Sequence, residues 1–216
     1  MNPYALHMLR IESLYRNSEA VDRALAPIGD AIASCAQNLE EAEITADSAY
    51  IDVVIDSETE MIETHLGTAF VVCQTYVTSI VSSVMALHKF RKKETGVDLL
   101  TTKGNKVSII SFGSHFIKGS CYTEIQTIDA FANYFKHRDE WQQPWSTLSR
   151  PAQRHTIQVL LAAGGEEGST GNLRTGAEVL GNSEYKNVHV FTAILTNWCN
   201  NIRCSYDSEL RSDSLL

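Results

Sequence analysis

The sequence predicts an all-α protein: a helical bundle built on one long amphipathic helix at about 57–94, packed against a helix at 121–140, with extra C-terminal helices. Three observations predict it. Only four prolines and twelve glycines punctuate 216 residues, and long stretches lack both, which favours helices over a sandwich or barrel. Apolar residues recur at helical spacing in several segments. With 44% hydrophobic and 20% charged residues, the composition excludes a disordered chain and suffices for a sizeable core. The expectation is a single helical domain over 1–216.

Taken in order, Pro3 to Glu43 reads as one or two helices interrupted near Pro27 and Gly29, with Leu6, Leu9, Leu14, Val21, Leu25, Ile28 and Ile32 as a loose apolar stripe. The long helix follows. Ser57 or Thr59 is its expected cap. Glu58, Glu60 and Glu63 in its first turns and Lys89, Arg91, Lys92 and Lys93 at its end suit the helix dipole. Its centre, Leu66 to Leu87, carries no charge, which raises the question of a membrane span. The pairs Gln74-Thr75, Thr78-Ser79 and Ser82-Ser83 recur every four residues, however, and set a small polar stripe opposite Phe70, Cys73, Val77, Ile80, Val81 and Val84. That pattern predicts an amphipathic soluble helix and no membrane contact.

Thr95 to Lys106 reads as a loop, and Val107 to Ile117 fits either a short strand or a helix. Helix 121–140 ends before Gln142-Gln143-Pro144, because proline disfavours helix in the residue before it. A further helix is expected over Thr147 to Ala163, with Pro151 in its first turn. Gly164 to Gly171 reads as a flexible loop, and it lacks the Gly-Lys-Ser/Thr of a phosphate-binding loop. A short helix to Leu180 and a final one from about Tyr185 to Leu210 complete the chain.

The net charge of −8 argues against a general nucleic-acid coat protein, but the charge is uneven. Residues 1–63 hold three basic and thirteen acidic side chains, whereas 89–118 hold seven basic residues against Glu94 and Asp98. A local anion-binding surface and a solvated basic helix end both fit that asymmetry. The five cysteines (Cys35, Cys73, Cys121, Cys199, Cys204) are scattered and form no Cys-x-x-Cys, which points to free thiols in a reducing cytoplasm. No apolar leader opens the chain. His7, His65, His88, His115, His155 and His189 show no metal-ligand spacing and read as structural; no metal or other cofactor is expected.

Helix 121–140 carries the chemistry. Ile125, Ile128, Ala132 and Phe135 line one side; Gln126, Asp129, Asn133, His137 and Glu140 line the other. Asn133 and His137 are one turn apart, with Asp129 a turn earlier. Histidine is readily poised to take a proton from a hydroxyl, and an amide can orient that hydroxyl. Lys136 and Arg138 flank the histidine as candidate phosphate ligands. Tyr134 and Trp141 are candidates for stacking on an unpaired base. The same residues also fit a plain helix end, with Lys136, His137 and Arg138 favouring the negative end of the dipole and Trp141 and Trp145 closing the core.

A long helix rich in small polar residues followed by Ala132-Asn133-Tyr-Phe-Lys-His137 resembles the HEPN superfamily, over about 47–141, leaving 145–216 as a C-terminal helical extension. The resemblance implies an all-α fold, often a metal-independent ribonuclease of a toxin–antitoxin or phage-defence system, and a homodimer whose motif helices face each other. Asn133 matches the polar position of the motif and His137 its histidine. The arginine position falls on Ala132, so the phosphate-binding charge is left to Lys136, Arg138 or a lysine of 89–93. The resemblance thus implies RNA binding or cleavage with His137 and Asn133 as catalytic residues and Lys136, Arg138, Tyr134, Trp141 and Asp129 as substrate-binding residues. The alternative is a non-catalytic dimerisation or partner-binding protein, with a cognate partner protein docking on the 120–141 helix.

Overall fold

The computed structural model of the chain describes residues 5–16, 18–45, 48–141, 144–182 and 187–212. Among them are eight α-helices: α1 (Ala5–Arg16), α2 (Ser18–Thr45), α3 (Ser48–Thr95), α4 (Lys106–Ser111), α5 (Glu124–His137), α6 (Pro151–Ala162), α7 (Asn172–Val179) and α8 (His189–Ser212). Short 3₁₀ turns occupy Arg138–Glu140 and Trp145–Thr147. The only β pairing among the described residues is an isolated bridge between Phe116 and Thr123. This is the expected all-α bundle, and α3 packs on α5 as expected.

α3 is the axle of the bundle. Leu66, Ala69, Phe70, Cys73, Val77, Ile80, Val84 and Leu87 are buried along it, while Thr68, Thr75, Thr78 and Ser82 lie exposed. The segment Tyr50–Thr95 is also long and apolar enough to cross a membrane by composition, with a window of mean hydropathy 1.6, half of which is buried against the other helices.

Several boundaries differ from expectation, and at the start of α3 and at Pro27 of α2 packing overrides a local signal. α3 starts at Ser48, not at Ser57 or Thr59. Ile51 and Val54 are half-buried, α3 packs along α2, and Asn38 donates to Glu58 at 2.9 Å, so the helix continues outward from the core. α2 runs through Pro27 without a break. Close contact with the turn that leads into α8 supports it there: a Cβ on Gly29 would lie 2.9 Å from Val188 Cγ2. Asp22 also meets His189 at 2.8 Å and accepts from Thr192 at 2.9 Å. The ambiguous stretch after Asn105 resolves into short α4, capped by Asn105 and Ser108 in a reciprocal capping box, followed by an irregular segment.

Glu63 does not sit in the first turns of its helix. It is buried and caps α7 instead, accepting from Leu173 N (2.9 Å), Arg174 N (3.1 Å) and Arg174 Nε (3.0 Å). The glycine-rich loop before α7 is tied down by buried Asn172. Its amide donates to the Glu166 and Ser169 carbonyls at 2.9 and 3.1 Å, and to the Tyr134 hydroxyl at 3.2 Å. Cys35, Cys73 and Cys199 are buried as small hydrophobes; burial pushes the Cys73 thiol up to about 12.

At Gly67 the Phe135 ring of α5 packs directly on the backbone of α3. A Cβ there would stand 2.1 Å from Phe135 Cδ2 and 2.4 Å from Cε2, so the whole ring would have to move. Gly67→Ala is therefore expected to cost about 1–3 kcal/mol, read from chemical denaturation. An unchanged midpoint would show that the two helices are not in contact at this point.

The loop between α3 and α4 is anchored to α8 by a buried polar knot. The Tyr206 hydroxyl lies 2.7 Å from both His88 Nε2 and Thr102 Oγ1. Glu209 accepts from the Leu100 and Thr101 amides at 2.5 and 3.0 Å. Burial holds His88 below its ordinary value. Burial alone would raise Glu209, but the hydrogen bonds from Leu100 and Thr101 outweigh it and hold the carboxyl below the ordinary range. Both folded-state values are depressed, so both contributions are present at neutral pH and are lost as pH falls. The His88 contribution fades first, from about 6.5 downward. Thermal melts are expected to show stability falling as soon as pH drops below that value. His88→Gln, which does not titrate, is expected to abolish this upper step; a step that survives the substitution contradicts the assignment.

Candidate functional site

α5 begins at Thr123, which accepts from Gln126 N while the Gln126 side chain accepts from Thr123 N at 2.9 Å. Ser114 Oγ accepts from Ile125 N at 3.2 Å, adding a second anchor. From this fixed start Ile125, Ile128, Phe131 and Ala132 enter the core. The helix ends at His137, three residues earlier than expected, and the chain tightens into the 3₁₀ turn Arg138–Glu140.

The polar face of α5 lines a cleft of about 540 Å³. Gln126, Asp129, Asn133, His137 and Glu140 form one wall. α4 contributes Lys106, Val107 and Ile110, and the start of α6 contributes Arg150, Pro151, Gln153 and His155. Trp141 joins the lining from beyond the 3₁₀ turn.

Two members of this face are not solvated. Gln126 is buried as the capping partner, and Asp129 is buried within a network. Lys106 Nζ bridges Asp129 at 2.7 and 2.8 Å from its two carboxylate oxygens. Gln74 Nε2 donates to Asp129 Oδ1 at 2.8 Å and to Asn133 Oδ1 at 3.0 Å. Asn133 is thus oriented from α3, with its amide nitrogen left to donate elsewhere.

His137 Nδ1 lies 3.1 Å from Glu140 Oε1. A carboxylate only accepts, so in the neutral imidazole Nδ1 carries the proton and Nε2 keeps its lone pair. His155, in the early turns of α6, rests edge-on to Tyr122 at 5.8 Å. α6 has no side-chain cap, and proline opens it. Its first amides, on Ala152 and Gln153, lie beside Arg150 on the same wall, so that wall is electropositive. Trp141 is buried, and its Nε1–H has no acceptor among the described residues.

The other proposed ligands point elsewhere. Lys136 donates to Gln74 Oε1 at 2.7 Å, and Arg138 stacks 5.1 Å over the Phe135 ring. Tyr134 turns toward Asn172 and Trp145. Ala132, which the family resemblance aligns with an arginine, is fully buried in the core. The cations at the cleft are therefore Lys106 and Arg150. Neither they nor His155 and Gln74 were distinguished by spacing, because they come from three separate helices and the turn before one of them. Among the described residues no group of three His, Cys, Asp or Glu side chains is placed to hold a metal ion.

No protein-family model matches this chain, nor does any curated protein or solved structure.

Proposed function

We propose that the protein is a HEPN-like RNA-binding protein that cleaves RNA without a metal, as a component of a toxin–antitoxin or phage-defence type system in a reducing cytoplasm. The observation that carries this reading is the presence of two imidazoles, His137 and His155, in one cleft with Lys106, Arg150 and the α6 N-terminus. Cleavage of a phosphodiester beside a ribose 2′-hydroxyl needs a base, an acid and cations for the phosphate.

His137 Nε2 accepts the 2′-hydroxyl proton while Asn133 orients that hydroxyl. The 2′-oxygen attacks phosphorus. His155 donates a proton to the departing 5′-oxygen, leaving a 2′,3′-cyclic phosphate and a 5′-hydroxyl. Arg150 balances the phosphate charge and the α6 amides assist.

The second reading, a non-catalytic partner-binding protein, is favoured by one feature: buried Ala132 cannot present the charge that the resemblance requires. Purified protein incubated with total RNA in EDTA separates the two. Cyclic-phosphate ends that depend on His137 support the nuclease. Equal cleavage by wild type and His137→Ala ends it.

A further inference from the structure

α3 spans 48 residues, on the order of 70 Å at 1.5 Å per residue, and one of its faces stays open along its length. Near the N-terminus that face carries Tyr50, Val53 and Met61, which are 63%, 62% and 47% exposed. Three large apolar side chains on one exposed stripe differ from apolar residues scattered singly. In the middle the face narrows to Thr68, Thr75 and Ser82, small residues over which another helix can approach closely. At the C-terminus it ends in exposed Lys89 and Lys93, with Val97 beyond them.

The face also changes sign. Asp56 and Glu60 border its apolar end, and Lys89 and Lys93 form its other end. Among the described residues none of these four charges is drawn into an ion pair within the chain. A surface that is acidic at one end and basic at the other complements itself when turned end for end.

We propose that two copies of the chain pair along this face, with their α3 helices antiparallel and a two-fold axis between Gln74 and Thr75. In that register Glu60 stands opposite Lys89 of the second copy, and Asp56 opposite Lys93 of the second copy. Val53 meets the Gly96–Val97 turn of the second copy, and Thr75 lies beside its own counterpart at the axis. The interface lies on α3, not on the α5 helix that the family resemblance places between protomers, and it does not depend on the chemistry of the cleft.

Light scattering tests the proposal on the full chain, whose monomer mass is 24.0 kDa. A dimer is expected, weakening as salt rises. Glu60→Lys and Lys89→Glu should each weaken it about tenfold, since each places like charges face to face. The two substitutions together in one chain should restore it. Thr75→Cys, in a background with exposed Cys121 and Cys204 replaced by serine, should give a reducible covalent dimer on oxidation. Val53→Cys in the same background should not. Circular dichroism checks that each variant remains helical. A strict monomer overturns the proposal, as does a dimer indifferent to both charge reversals. Monomeric protein that co-sediments with phospholipid vesicles through this face would assign it to lipid and overturn the proposal equally.

Discussion

His137→Ala is expected to lower RNA cleavage by about 10²–10⁴-fold, the usual contribution of a positioned proton-transfer group. His155→Ala is expected to fall in the same range, and the double variant well short of the product of the two, because a base and an acid serving one displacement act as a unit. The comparison with Lys136→Ala is the sharper part of the prediction. Lys136 is occupied by Gln74, so its loss should affect cleavage far less than loss of Arg150, which stands at the cleft wall. Glu140→Gln should give an intermediate loss, since Glu140 fixes the proton on Nδ1 of His137 and a neutral amide holds it less firmly. Cleavage that is insensitive to both histidines, or that vanishes with Lys136 but not Arg150, would move the chemistry out of this cleft.

The polar face of α5 was legible because one helix carries it. Gln126, Asp129, Asn133, His137 and Glu140 obey a single periodicity, and all five meet one cleft. The opposite wall was not legible. Arg150 and His155 approach that face only because α6 doubles back after Pro144, and no spacing in the chain encodes that return. Gln74 was hidden for a related reason. It falls within the small polar stripe of α3, yet packing buries it and sets it to work on Asp129 and Asn133. Glu63 shows the same limit: in sequence it resembles any acidic residue early in a helix, whereas its carboxylate caps a helix more than a hundred residues away. Local signals also misplaced boundaries. Ser57 is a good cap and Pro27 a good breaker, but packing of α3 on α2, and of α2 on α8, outweighs both.

Phe131→Ala should produce the largest loss of stability of any single truncation on α5. Its ring is fully buried and lies 5.4 Å from Phe70, nearly parallel to it, and Phe70 in turn meets Phe191 edge-on at 5.2 Å. α5, α3 and α8 thus join through three rings in series. α7 closes the fourth side, because Gly176 lies so near that a Cβ there would stand 2.6 Å from Phe131 Cδ1. Removing the ring deletes its buried surface and leaves a space that four helices must collapse to fill, at a cost of about 3–5 kcal/mol. For a chain of this length that corresponds to a fall of roughly 10 °C in Tm. Gly176→Val approaches the same point from the other direction. It drives a branched side chain into the ring and should cost about 1–3 kcal/mol without creating a void. Because Phe131 and Gly176 face away from the cleft, the fraction of either variant that remains folded at low temperature should still cleave RNA. A Phe131→Ala loss below about 1 kcal/mol would show that the four helices do not converge on this ring.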